Sequence, residues 1–241
     1  MLDVEQLIKT IDILSRDYKP SPQTEHALQQ RIVVAVLGPF GVGKSTLMKM
    51  VEQIDPSFGY VLGITTRPPR PGEADTYRFI KHDIGNRSRI VSQLQSGELV
   101  QVTTHPITKY VYGSDLISYA KPNNILDIFS TYLDEFAKLP FKDLKKAYLV
   151  VPPDQWSKRI AEREKIHSAE EIRQRWIEAK VNLEWGLANA EQINWVVNDD
   201  GNQELCARQL IDLGRNQGQA NKSGPEIAKQ MLMMAEATLN P

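Results

Sequence analysis

Gly38-Pro39-Phe40-Gly41-Val42-Gly43-Lys44-Ser45 has the residue types and spacing of a loop that holds a polyphosphate. Glycines let successive backbone N–H groups turn toward one anion. A helix beginning at Lys44 would add the positive end of its dipole at the same point. The Lys44 ammonium can reach β- and γ-phosphates, and the Ser45 hydroxyl can ligate Mg²⁺. The pattern G-x-x-x-x-G-K-[ST] is complete, follows a strand-like apolar run and precedes a helix-like one, which is the context the motif requires. These residues predict binding of ATP or GTP with Mg²⁺. They do not name the reaction.

A second segment supplies cations. Thr65-Thr66-Arg67-Pro68-Pro69-Arg70-Pro71-Gly72-Glu73 sets two arginines three residues apart in a chain stiffened by three prolines. A guanidinium presents paired donors that match phosphate oxygens, and prolines reduce the freedom lost when such a loop is ordered. Tyr77 and Tyr112-Gly113-Ser114 add hydroxyl donors. A third group, Arg159, Arg163, Arg173 and Arg175, lies on charged helical sequence after Val150-Val151-Pro152-Pro153. Phosphoryl transfer spreads negative charge over the moving group, and arginines on a closing lid would meet it. Ordinary ion pairing along a helix is the competing reading for Arg159, Arg173 and Arg175, each with a glutamate three or four residues away. Arg163 has Arg159, Ile160, Ile166 and His167 at those spacings and no acid, so it is the better anion ligand.

These residues need a scaffold. Arg31–Leu37 is a β-branched apolar run suited to a strand covered on both faces. Further strands are predicted at Tyr60–Ile64, Leu99–Thr103, Ile125–Ile128, Ala147–Val151 and Trp195–Val197. Helices are predicted at Lys44–Gln53, Ile90–Ser96, Thr131–Lys138, Pro153–Glu164, Ala169–Asn189 and Glu204–Leu213. The alternation implies an α/β domain with a mostly parallel sheet. Val4, Leu7, Ile8, Ile11 and Leu14 predict an amphipathic helix of about twelve residues whose stripe could pack on the main domain or on a second subunit. Lys19–Pro22 is expected as a linker, as is Arg215–Ser223, after which Pro225 can start a last helix.

The order GPFGVGKST, TTRPPRPGE, YGS, ILDI, VPP and the arginine-bearing segment resembles the guanylate kinase family over about Arg31 to Arg215. The resemblance implies a P-loop NTPase fold with an acceptor-binding region and a helical lid, and it implies ATP and Mg²⁺ as cofactors. The expected division is 1–30 as N-terminal helix and linker, 31–215 as the guanylate-kinase-like domain and 216–241 as linker and C-terminal helix. By resemblance, Gly38 to Thr46 and Asn198 bind the nucleotide, and Ser45 also the metal. Arg67, Arg70, Tyr77, Tyr112 and Ser114 bind an acceptor monophosphate, Asp127 lies near metal and acceptor, and Lys44, Arg159, Arg163 and Arg175 are catalytic.

The departures cluster at the base-reading positions, which fall on Gly63, Gln101 and Phe129. Guanine offers N1–H and N2–H₂ as donors. A glutamine has one acceptor and an opposing NH₂, and a phenylalanine accepts nothing but can stack. The resemblance thus implies an ATP-dependent nucleoside monophosphate kinase, taking GMP or a related acceptor, with guanine reading altered. A register one or two residues away, with Glu98 or Asp115 on the guanine, is the alternative. So are a guanylate-kinase-like binding or scaffold protein without activity, and a kinase of another phosphorylated acceptor. The Phe40 position is small in the family, and the segment Glu73 to Tyr77 is short.

Composition bounds the rest. A net charge of −1 supplies no field toward nucleic acid or a membrane surface. There is no apolar run long enough to span a bilayer, and the N-terminus, with Asp3 and Glu5, is unlike a targeting signal. A single cysteine, Cys206, fits a reducing compartment and a packing role. The cytoplasm is therefore expected. The terminal helices leave a homodimer open. His26, His82, His105 and His167 lack ligand spacing.

Overall fold

The computed structural model describes residues 3–16, 18–69, 77–104, 108–164, 168–218 and 221–240, without side chains at 163 and 164. They form two compact units. The larger comprises Ile32–Phe58, Ile125–Ala137 and Asp143–Pro241; the smaller comprises Met1–Arg31, Gly59–Asn124 and Lys138–Lys142.

The larger unit is organised by a five-stranded sheet in the order β2-β7-β1-β8-β9, with β1 Ile32–Leu37, β2 Phe58–Tyr60, β7 Asn123–Asp127, β8 Asp143–Val150 and β9 Asn194–Val197. β1 pairs with β8, and β8 with β9, in parallel. Val33 to Leu37 and Ala147 to Val151 are fully buried, as a strand covered on both faces requires. The covering helices are α3 (Lys44–Ile54), α5 (Ser130–Phe136), α6 (Pro153–Glu164), α7 (Ala169–Ala188), α8 (Gln203–Gly214) and α9 (Gly224–Leu239). Leu47, Met48 and Val51 of α3 and Cys206, Ala207 and Leu210 of α8 are buried where these two helices meet. The Cys206 thiol is donated to the Val197 carbonyl at 3.1 Å, a packing role. α9 lies on α7 with Ala228, Met231 and Ala235 buried, and Lys180 meets Glu236 at 3.1 Å.

The smaller unit holds a four-stranded sheet, β4-β3-β6-β5, formed by β3 Gly63–Thr65, β4 Tyr77–Phe79, β5 Leu99–Thr104 and β6 Val111–Asp115. β3 and β5 both run antiparallel to β6. Ile64, Leu99 and Val111 join a core with Ile90, Val91 and Leu94 of α4 (Ile84–Ser96). Leu7 and Ile11 of α1 (Val4–Arg16) complete it, at 2% and 0% exposure. The N-terminal stripe therefore packs within its own chain.

Several elements differ from expectation for local reasons. The stretch expected as one strand at Tyr60–Ile64 divides into β2 and β3, which belong to different sheets. Instead of a linker, the second proline of Lys19–Pro22 opens α2 (Pro22–Leu28), because the Ser21 hydroxyl accepts the Thr24 N–H at 3.3 Å. β8 begins four residues before Ala147, its polar start escaping an apolar criterion. Among the described residues, no helix is long and apolar enough to cross a membrane.

Candidate active site

The phosphate-loop sequence lies between β1 and α3. Gly38, Gly41 and Gly43 have φ of 132°, 81° and 91°, values that only glycine adopts without strain. Space enforces the choice as well. A Cβ on Gly38 would lie 2.5 Å from the Leu149 carbonyl oxygen, and one on Gly43 would lie 2.5 Å from Asn198 Nδ2. Lys44 opens α3 and folds its ammonium back over the loop, donating to the carbonyls of Gly38 at 2.6 Å and Pro39 at 3.1 Å. Ser45 follows on the first turn, partly exposed, and Thr46 is exposed.

Asp127 ends β7, and its carboxylate lies 3.9 Å from Lys44 Nζ. Surrounding protein pushes its carboxyl above the usual range, and the Lys44 charge opposes that rise. The side chain nevertheless keeps 42% of its surface open. It is a carboxylate at the edge of a cationic loop, open on one side. Two residues on, Phe129 precedes α5 with 57% exposure, edge-on to Tyr132 with ring centroids 6.3 Å apart.

Asn198 follows β9 and is 2% exposed. Its Nδ2 donates to the Val42 carbonyl at 2.7 Å, so it braces the glycine loop, while its Oδ1 has no partner among the described residues. Arg159 joins the same brace. Its guanidinium donates to the carbonyls of Val42 at 3.4 Å and Asn198 at 3.1 Å and pairs with Asp200 at 2.6 Å. Arg175 sits with Cζ 5.8 Å from the Phe40 ring centre. The Arg163 side chain lies outside the described residues.

The smaller unit gathers most of the residues expected to meet the acceptor. Side chains alternate along a strand, and the register places Tyr77, Tyr112, Ser114, Gln101 and Thr103 on the sheet face opposite the apolar core. Arg67 is buried near it. Its Cζ lies 5.9 Å from the Tyr77 ring centre and 5.7 Å from that of Phe79, and Tyr77 meets Tyr112 edge-on at 6.0 Å. The Ser114 hydroxyl is within 3.3 Å of the Tyr119 hydroxyl. Arg70 and His105 lie outside the described residues, as does His167 in the larger unit.

One irregularity aims Gln101. Leu99 pairs with Asp115 and Gln101 with Ser114, so Val100 is an extra residue in β5. In a regular strand, residues 99 and 101 would share the core face. The bulge turns Gln101 to the polar face while Leu99 stays in the core.

With this geometry stand the likenesses to known proteins. The chain is 39% identical over 79 residues to a guanylate kinase of Nocardia farcinica, covering 32% of this chain and 38% of that one. It is 27% identical over 157 residues to a guanylate kinase of Sus scrofa, covering 63% of this chain and 76% of the relative. Over these stretches the chain is similar to guanylate kinases. The stretch matched in the guanylate kinases of Nocardia farcinica and a Nostoc species is less than two fifths of their length. Among solved structures, a guanylate kinase from Anaplasma phagocytophilum aligns over 85% of this chain and 94% of its own, at 14% identity and a TM-score of 0.46. No protein-family model matches the chain.

The two residues of the alternative register, Asp115 and Glu98, are placed differently from Gln101. Asp115 lies on the core side of the sheet, 9% exposed, and accepts from Arg78 at 2.6 Å. Glu98 is exposed beyond the start of β5. Gln101 is the residue the bulge presents. Among the described residues, no group of three or more His, Cys, Asp or Glu side chains is placed to hold a metal. His82 meets the Tyr110 ring edge-on at 5.3 Å and lies against Arg87.

The sequence reading missed Trp156 and Asp200, both in contact with the loop or its brace. A buried indole N–H needs an acceptor, but only the structure shows Trp156 to be buried and gives that acceptor as the Phe40 carbonyl. Nothing in the spacing named Phe40. Asp200 pairs with Arg159 across 41 positions, a separation that no helix periodicity reveals.

Proposed function

We propose that this chain is an ATP-dependent kinase that phosphorylates a nucleoside monophosphate, with relaxed selection for guanine. The observation that carries this reading is the loop of three positive-φ glycines closed by Lys44, with Asp127 3.9 Å from its ammonium. The loop fits a polyphosphate on its own chemistry. Its shape is one that Cβ atoms at Gly38 and Gly43 would obstruct, and it offers a cation, a hydroxyl and a helix N-terminus at one place. Mg²⁺ would be held by Ser45, and when bound it neutralises phosphate charge.

The chain's own residues supply position and charge. Lys44 exchanges its hold on the Gly38 and Pro39 carbonyls for the β- and γ-phosphates. Arg67, Tyr77 and Tyr112 grip the acceptor's phosphate through guanidinium and phenol donors. An oxygen of that phosphate forms a bond to the γ-phosphorus as the bond to the β-bridging oxygen breaks, giving ADP and a nucleoside diphosphate. Arg175 and Arg159 offset the charge that develops. No covalent intermediate on the protein is required.

Gln101 and Phe129 support relaxed base selection. An amide replaces the carboxylate that would accept two guanine donors, and an exposed ring offers a stacking surface that every base can use. A coupled assay of ADP formation with GMP, IMP, AMP, CMP and UMP tests the proposal, with Lys44→Met as the control. Turnover of at least one monophosphate by the parent and a loss of about a hundredfold or more in the variant are expected. No turnover of any of them by folded protein would sink it.

A further inference from the structure

In a loop that receives an anion, amide N–H groups must face the ligand and carbonyls must face away. Peptide planarity couples the two, because in a trans peptide the C=O of one residue and the N–H of the next point in opposite directions. Among the described residues no peptide is cis, so fixing a carbonyl fixes the following amide. The Phe40 carbonyl accepts the Trp156 indole N–H at 2.8 Å. Trp156 is 0% exposed. That bond turns the Gly41 N–H away from the indole, to the other side of the loop. Gly41 leaves room for it, since a Cβ there would lie 3.3 Å from Trp156 Nε1. The Val42 carbonyl, held by Asn198, sets the Gly43 amide in the same way.

The Phe40 side chain makes a second attachment. Its ring stands edge-on to Trp176 at 5.6 Å and to Trp156 at 6.2 Å, and the two indoles are 4.9 Å apart. Arg175 neighbours Trp176 in sequence and lies over the same ring. An aromatic at this loop position thus ties α6, α7 and an arginine to the phosphate loop.

We propose that Trp156 and Phe40 are positioning residues for phosphoryl transfer: Trp156 sets the Gly41 amide toward the nucleotide, and the Phe40 ring holds Arg175 beside the loop. This rests on the nucleotide reading given above. The test measures the Mg-ATP dissociation constant by calorimetry, together with kcat and both KM values, for the parent, Trp156→Phe and Phe40→Leu. Trp156→Phe keeps an aromatic and deletes the donor. Its Mg-ATP affinity falls about tenfold, the equivalent of one net hydrogen bond of about 1.4 kcal/mol, while the acceptor KM stays within about twofold. Phe40→Leu keeps the backbone carbonyl and loses the ring. Its kcat falls about threefold to tenfold with Mg-ATP affinity within about twofold.

Parent-like Mg-ATP affinity in Trp156→Phe overturns the proposal, and so does parent-like kcat in Phe40→Leu. A second readout needs no variant. The Gly41 amide proton of the parent shifts downfield when Mg-ATP is added, and a Gly41 resonance that stays in place overturns the proposal whatever the variants do. A parent that binds no Mg-ATP at all refutes the nucleotide reading itself, which is a separate failure.

Discussion

Replacing Gln101 by glutamate should move the chain toward guanine. The bulge at Val100 delivers this side chain to the polar face, beside Ser114 and Tyr112. Ser114 is 1% exposed and engaged with Tyr119, so it competes little for a base. The exchange removes an NH₂ that would oppose the two guanine donors and installs an acceptor for both. Hydrogen bonds to a charged group contribute about 1.5–3 kcal/mol each. Gln101 is only half-buried, and solvent screening reduces the pair to about that range in total. The selectivity for GMP over AMP should therefore rise by about 10- to 150-fold in kcat/KM. The assay is steady-state kinetics with GMP and AMP at saturating Mg-ATP, for the parent and Gln101→Glu. A ratio that moves by less than about twofold would mean Gln101 does not face the base, and the argument from the bulge would fall.

Three further outcomes follow from the packing. Ile11→Ala, at a fully buried position of α1, should cost about 2–5 kcal/mol in urea denaturation. Ile13→Ala, at 65% exposure on the same helix, should cost within about 0.5 kcal/mol; equal losses would refute the buried stripe. Gly43→Ala should weaken Mg-ATP binding about 5- to 100-fold in calorimetry, since the residue has φ 91° and its Cβ would collide with Asn198; unchanged affinity would contradict the geometry. Asp55 is the pH case. Burial would raise its carboxyl, but the Ser57 hydroxyl and N–H and the Arg215 guanidinium at 2.6 Å outweigh it, so the net shift is downward from 3.8. The unfolded chain then takes up the proton more readily, so this stability is present above pH 3.8 and is lost as pH falls through the lower folded value. Asp55→Asn should cost about 1–3 kcal/mol at pH 7, and its deficit should shrink in acid; a deficit independent of pH would contradict the linkage.

The larger unit was the more legible in sequence. Val33 to Leu37 and Ala147 to Val151 are apolar because both faces are covered, and such runs declare themselves. The phosphate loop was legible because its glycines answer a backbone requirement that few other residues meet. The smaller sheet was largely hidden. β4 is three residues of aromatic and arginine, and β6 mixes valine, tyrosine, glycine and serine, so neither carries a long alternating pattern. The bulge at Val100 also breaks the period-two phase that would have shown which face Gln101 occupies. Tertiary partners were invisible for a different reason. The Trp156 bond to Phe40 and the Arg159 pair with Asp200 join residues far apart in the chain, and no local spacing encodes them.

The pairing of β1 with β8 sets the order in which this chain can mature. Ile32 awaits Asp143 as its neighbour, and the intervening segment contributes most of a separate unit. During synthesis, a naked run of valines emerges from the ribosome long before its mate. Such a strand is sticky while it waits, and closing so distant a contact is slow. Nascent chains stalled between these two strands should therefore be chaperone clients, and those stalled beyond β8 should not.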